Sequence, residues 1–329
     1  MKNIWILAMI SALTITTVFA DDLPTIYREK GIAALEKGAN DRLTDTHYWL
    51  EKLIKLDTRF GYFEKSDSDI LVVDKSRLLL WRYKYAKGEL SLENEINATL
   101  GDAKGDKFVE GDEKTPVGAY RITSVLTQET HKLDPYYGPL AFTTNYPNVF
   151  DKSLGKSGHG IWVHGFPLNS ARLRDNTQGC VAIDNELLLG IHLRINPEKT
   201  VILINEEGVL EANKDDLASV LTTIFEWRYA WQKSDLKSYL SLYTSDFKRS
   251  DNVGRPQFDQ IKAGIFLDQS QKTIYFSDIE IVPYPNSLGE VIYRARFWQD
   301  YQAKNHRSNR IKELYLRKQG DRFLIVTEH

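Results

Sequence analysis

Residues His159–Asn185 read HGIWVHGFPLNSARLRDNTQGCVAIDN. This stretch holds Cys180, the single cysteine among 329 residues, and two of the seven histidines, His159 and His164. A thiol is a weak nucleophile until its pKa falls or a base within about 2.6–3.2 Å takes its proton. The two histidines bracket the strand-like run GIWV and are five positions apart, which puts them on opposite faces of one strand. Only one can easily share a face with Cys180, and parity alone does not say which. Gly165-Phe166-Pro167 breaks the strand directly after His164, a place where functional side chains often emerge. Asp175, Asp184 or a backbone carbonyl could orient the imidazole. A zinc site built from Cys180, His159, His164 and Asp184 is the rival use of these residues. No CxxC, HxH or HExxH spacing accompanies it, so neither metal nor cofactor is expected.

The N-terminus bears on how Cys180 is read. MKNIWILAMISALTITTVFA has Lys2, an uncharged run to Ala20 and a small-x-small ending at Val18-Phe19-Ala20. These are the marks of a cleaved export signal over 1–20. Ser11, Thr14, Thr16 and Thr17 weaken the alternative of a membrane anchor, which needs about 20 apolar residues. In an oxidising exported compartment cysteines usually pair, so a lone one is intermolecular or reactive. The composition is that of a globular protein, with 42% apolar and 27% charged residues. The formal net charge of −2 gives no reason to expect a nucleic-acid partner.

Three segments follow. Residues 21–66 read as helical, with Tyr48, Trp49, Leu53, Ile54, Leu56 and Phe60 in an apolar stripe. So short a piece must pack on another domain or a second subunit. Residues 67–207 read as mostly β, opening with DILVVDKSRLLLW, a hairpin turning at Asp74-Lys75-Ser76. After Cys180, NELLLGIHLRI suits one helix capped by Asp184 or Asn185, and KTVILIN a closing strand. Residues 213–329 begin with a helix burying Leu217, Leu221, Ile224, Phe225, Tyr229 and Trp231, then turn to strands. The fold class is multi-domain α+β.

The motifs resemble those of the L,D-transpeptidase (YkuD) family, over roughly 67–207. IWVHG (161–165) and TQGCV (177–181) match its His-Gly and Ser/Thr-x-Gly-Cys signatures, and GDEKTPVGAYRI (111–122) is similar to its upstream Gly-Asp-x-x-Thr-Pro-x-Gly-x-Tyr stretch. The resemblance implies Cys180 as nucleophile, His164 as base and the Gly165 carbonyl as its orienter. It implies backbone N–H groups near Gly179 and Cys180 as the oxyanion hole, with Thr177 shaping the loop. The family usually has Arg two residues after the cysteine, where this chain has Ala182. Arg172 and Arg174 are candidate substitutes in binding substrate, and His159, Trp162 and Tyr137 are further candidates.

The order of segments is similar to that of the cell-shape L,D-carboxypeptidases of helical Gram-negative bacteria, which end in an NTF2-like domain. That likeness implies dimerisation through the N-terminal helices. Within 213–329, Lys312 shares a strand face with Leu314 and Leu316, and Glu328 one with Leu324 and Val326. A buried pair there would line a second pocket, open to a glycan. The expected activity is a periplasmic L,D-carboxypeptidase that removes D-Ala from peptidoglycan tetrapeptide stems through a Cys thioacyl-enzyme, shaping wall and cell. The rivals are an L,D-transpeptidase forming 3–3 crosslinks and a non-catalytic wall- or glycan-binding protein.

Overall fold

The computed structural model describes residues 23–65, 67–168, 176–304 and 306–329. The export signal expected at 1–20, Asp175, Arg172 and Arg174 therefore lie outside the described residues. The chain opens with helix α1 (Leu23–Leu43), interrupted at Gly31 with φ 76°, and α2 (Thr46–Leu53), capped by the Asp45 carboxylate on the His47 N–H. Trp49 of α2 stacks on Phe225 with ring centroids 5.3 Å apart, and Leu53 is fully buried in the core of the last domain. The N-terminal segment is thus packed within its own chain. Its stripe ends sooner than the sequence pattern implies: Ile54 is 72% exposed, and Phe60 lies past the helix in a different core. The two-residue strand β1 (Tyr62–Phe63) follows.

The middle of the chain comprises β2 (Ser68–Asp74), β3 (Leu79–Ala86), β4 (Glu89–Asn97), β5 (Gly118–Thr127), α3 (Gln128–His131), β6 (Leu140–Thr144) and α4 (Val149–Ser153). It continues with β7 (Trp162–His164), β8 (Val181–Ala182), α5 (Asn185–His192) and β9 (Thr200–Asn205). The strands form one eight-stranded sheet in the order β4-β3-β2-β9-β5-β6-β7-β8. The Asp74 carboxylate closes the β2–β3 turn by accepting the N–H groups of Ser76 and Arg77. β9, last in sequence, lies centrally and parallel to β2. That explains why ILVV and VILI read as unbroken apolar runs: both faces are buried. Leu71, Val73, Ile202 and Ile204 face a core that includes Val163, Val181 and Leu188, while Ile70, Val72, Val201 and Leu203 face the C-terminal domain.

The last part comprises α6 (Lys214–Gln232), α7 (Leu236–Leu240), α8 (Arg255–Phe266), β10 (Thr273–Pro283), β11 (Ile292–Ala303), β12 (His306–Gln319) and β13 (Arg322–Glu328). A five-stranded antiparallel sheet, β1-β10-β11-β12-β13, curls over α6. The sequence reading omitted α8. It also omitted Trp227, which is fully buried, whereas Tyr229 is only half-buried. The two domains share a dry core in which Phe150 stacks on Tyr315 at 5.3 Å. Around it run polar links: Arg121 and Arg294 both reach Glu280, and the Asn148 amide donates to the Tyr284 hydroxyl.

Candidate active site

Strand pairing resolves the parity question. β7 and β8 run parallel with Val163 opposite Val181 and His164 opposite Ala182. Counting back along both strands puts Trp162 opposite Cys180, so Cys180 shares its face with Trp162 and His164. The Trp162 N–H lies 3.4 Å from Cys180 Sγ, and the thiol lies 3.3 Å from the Gly160 carbonyl. His159 lies before the strand, beyond Gly160 with φ 72°. Its side chain is 81% exposed, 3.9 Å from the equally solvated Glu110 carboxylate.

His164 is buried, and its Nδ1 lies 2.7 Å from the Gly165 carbonyl oxygen. A carbonyl only accepts, so Nδ1 carries the proton and, in the neutral ring, Nε2 is the basic nitrogen. The Tyr137 ring centroid lies 5.1 Å from that of His164, at right angles to it, and 4.9 Å from that of Trp162. Burial raises the Tyr137 hydroxyl above its ordinary pKa, and the nearby Cys180 raises it further. Tyr137, Trp162, His164 and Cys180 therefore form one cluster. Asn185 completes it: Oδ1 accepts the Phe166 N–H at 2.7 Å and Nδ2 donates to the Phe166 carbonyl at 3.1 Å. A side chain at Gly165 would run into Asn185 Oδ1, which fixes glycine there. Sequence reading offered Asn185 only as a helix cap. The cap of α5 is Asp184, whose Oδ1 accepts from the Glu186 and Leu187 N–H groups.

The Cys180 loop is held by Thr177. Its hydroxyl donates to the Cys180 carbonyl at 2.7 Å and accepts the Gly179 N–H at 3.1 Å. The Gly179 N–H is thus bonded inside the loop in this structure. The Cys180 N–H has no acceptor among the described residues. Gly179 has φ 130°, and a Cβ there would come within 2.6 Å of the Lys114 carbonyl oxygen. Glycine is needed for both reasons. Lys114 belongs to the upstream GDEKTPVG stretch, whose Asp112 gathers the N–H groups of Phe108, Val109 and Lys114. Partial burial pushes the Asp112 carboxyl up, but Lys107 and those N–H groups outweigh it and bring the pKa down to about 2. The upstream motif thus builds the wall on which the Cys180 loop rests.

Burial pushes the Cys180 thiol up to about 11, with the Trp162 N–H and Lys107 opposing only in part. The resting nucleophile is a thiol, and a base must take its proton when it attacks. Ala182 is fully buried opposite His164 and exchanges two 2.8 Å hydrogen bonds with Thr99.

The second candidate site lies between α6, α8 and the C-terminal sheet. Lys312 Nζ is 3.2 Å from Glu328 Oε2, and both are buried. The Tyr243 hydroxyl donates to the same oxygen at 2.9 Å and accepts the Trp227 indole N–H at 2.6 Å. Lys262, also buried, lies 4.4 Å from the Trp231 ring centroid and 5.0 Å from that of Phe258. Burial pulls its ammonium down to about 8 despite the attraction of Glu328. Sequence reading missed Lys262. Its signal was Phe258, Lys262 and Phe266 at four-residue spacing, a lysine inside an apolar stripe.

Comparison with known proteins places this geometry. Residues 68–203 match the L,D-transpeptidase catalytic domain, YkuD, and residues 219–329 match the Cds6 C-terminal NTF2-like domain. No curated protein matches the chain. Among solved structures, the helical cell shape determining protein Pgp2 from Campylobacter jejuni is 36% identical, with TM-score 0.80, over 87% of this chain and 100% of that one. A mutant of the same protein is 36% identical with TM-score 0.81, over 88% of this chain and 99% of that one. Bd1075 from Bdellovibrio bacteriovorus is 27% identical with TM-score 0.65, over 83% of this chain and 95% of that one. The chain belongs to the L,D-transpeptidase family of cysteine-dependent enzymes that act on peptidoglycan, with a YkuD catalytic domain followed by an NTF2-like domain.

Proposed function

We propose that this protein is a periplasmic L,D-carboxypeptidase that trims peptidoglycan tetrapeptide stems to tripeptides and so affects cell shape. The observation that carries the reading is the placement of Cys180, His164 and Tyr137 on one face, with the His164 Nδ1 proton held by Gly165. His164 Nε2 takes the thiol proton as Sγ attacks the carbonyl at the L-centre of meso-diaminopimelate. The Cys180 N–H faces the developing oxyanion. The C–N bond to D-Ala breaks, and the His164 proton goes to the departing amine. Water then adds to the thioester with His164 again as base, the C–S bond breaks, and the free tripeptide leaves as the thiol is reprotonated.

Trp162 and Tyr137 line the approach to Cys180, and Arg172 and Arg174 are kept as candidate contacts to stem carboxylates. His159, one residue from the carbonyl that touches Sγ, is kept as an outer contact. The buried Lys312–Glu328 pair, with Lys262 and its aromatic neighbours, is the candidate contact for a glycan in the C-terminal domain. The apolar residues exposed on α1, Leu23, Tyr27 and Ile32, support its use as a dimer contact. Pgp2 is a helical cell shape determining protein, and the likeness to it supports the same role here.

The test is incubation with purified disaccharide tetrapeptide in H2 18O. Hydrolysis releases D-Ala and leaves one 18O in the new tripeptide carboxyl group. Unlabelled 3–3 crosslinked dimers in place of labelled tripeptide would make the enzyme a transpeptidase instead.

A further inference from the structure

One cleft lies away from both Cys180 and the buried Lys312–Glu328 pair. It has a volume of about 680 Å³ and runs between the two domains, with Arg121, Asn145 and Glu198 on the catalytic side and Glu280, Arg296 and Trp298 on the other. That volume is in the range of about 300–1,000 Å³ common for ligand sites.

Its charged groups are unequally committed. Glu280 gives one carboxylate oxygen to Arg121 at 2.8 Å and the other to Arg294 at 2.6 Å. Glu313 faces Arg294 and the Tyr315 hydroxyl. Arg296 stands between these two acids in the sheet, directly opposite Glu280 on β10 and Glu313 on β12. Yet it makes no hydrogen bond and no ion pair among the described residues, and feels Glu280 and Glu313 only at longer range. Burial and the neighbouring Arg121 bring even this guanidinium down to about 10. On the opposite wall the exposed Glu198 carboxylate also has no partner among the described residues, while its backbone carbonyl accepts from Arg121.

The cleft continues along the sheet. Trp298 follows Arg296 on the same face of β11, paired with Ser277 and Ile311, and is 40% exposed. The next row is Tyr275, Asp300 and Asn309, with Tyr275 63% exposed, in a second hollow that Trp298 also lines. At about 3.3 Å per residue the track from Arg296 to Asp300 is about 13 Å long. It offers, in order, an uncommitted cation, an indole face and a phenol beside an amide and an acid. Aromatic faces with polar neighbours suit a flat, hydroxylated ligand, and a planar guanidinium suits a carboxylate bidentately.

We propose that this interdomain track is a second wall-binding site, in which Arg296 holds a free carboxylate of a peptidoglycan stem and Trp298 and Tyr275 pack against the attached sugar. It is separate from the buried Lys312–Glu328 pair, which lies on the other side of the sheet. The identity of the ligand rests on the peptidoglycan reading given above.

The probe is purified disaccharide tripeptide, with free or amidated carboxylates, titrated calorimetrically into full-length Cys180→Ala protein. Amidation weakens binding to this protein about tenfold more than it weakens binding to the same protein carrying Arg296→Gln, since a charge-assisted hydrogen bond is lost only in the first. Arg296→Lys restores part of the difference. Trp298→Ala weakens both forms of the probe alike, and melting temperatures confirm that each variant is folded. The same amidation penalty with and without Arg296 would overturn the site, as would substitutions that change only self-association in sedimentation. D-Ala release by the unmutated enzyme is measured separately. If it occurs while the Arg296 effect is absent, only this site falls. If it is absent while the Arg296 effect holds, only the carboxypeptidase reading falls.

Discussion

Cys180 is held as a thiol by its surroundings. It sits between the Trp162 N–H and the Gly160 carbonyl, with burial keeping the proton on. An enzyme that kept a preformed thiolate would react with alkylating agents near neutral pH. Here iodoacetamide labelling of the free enzyme should climb with pH and reach half its maximum well above the ordinary thiol value, toward 11. A plateau already reached at about pH 6–7 would instead reveal a standing thiolate–imidazolium pair. At this scale the residue types were legible and their partners only in part: the resemblance implied the Gly165 carbonyl beside His164, while the Trp162 N–H and Gly160 carbonyl at Cys180 were not foreseen. Cys180 stood out as the single cysteine of the chain, and His164 through the His-Gly motif of the family it resembles. The bond from the Gly179 N–H to the Thr177 hydroxyl was not legible, because hydroxyl direction is invisible in sequence.

Among the elements, β12 and β13 carry the most exposed risk. Lys312 and Glu328 neutralise each other where water does not reach, and removing one leaves the other charge buried. Lys312→Ala should destabilise the C-terminal domain by about 3 kcal/mol. At that size its melting midpoint should drop by about 10 °C. The double change Lys312→Met with Glu328→Leu should recover most of the loss, because an apolar pair needs no desolvation. A single variant as stable as the parent would show that Lys262 and Tyr243 already satisfy Glu328. The strands were legible because alternation and apolar runs follow directly from burial on one face or two. Helix α8 was not: Arg255-Pro256 opens it and only Phe258 and Phe266 mark its buried side, a pattern as sparse as a loop's. The central place of β9 was also hidden, since sequence order does not state sheet order.

At the scale of the molecule, the two domains are joined by an apolar core and by Glu280, which two arginines share. Burial raises the Glu280 pKa, but Arg121, Arg294 and Arg296 lower it further, so in the folded chain it lies below its ordinary value. A carboxylate depressed in this way stabilises the fold above its unfolded pKa, and that contribution is lost as the pH falls through the folded value. The melting midpoint should therefore drop on acidification below about pH 4.5, and Glu280→Gln, less stable at pH 7, should show a flatter acid limb. Equal limbs would place the acid sensitivity elsewhere. This junction was unreadable beforehand, because Arg121 lies 159 residues from Glu280 and in the other domain.

The most direct test of the whole reading is the covalent intermediate. Enzyme mixed with disaccharide tetrapeptide and quenched in acid should gain, by intact-protein mass spectrometry, the mass of the disaccharide-tripeptidyl group, located on Cys180 by peptide mapping. Cys180→Ala should gain none and release no D-Ala. An adduct on any other residue, or D-Ala release by Cys180→Ala at the parent rate, would contradict it.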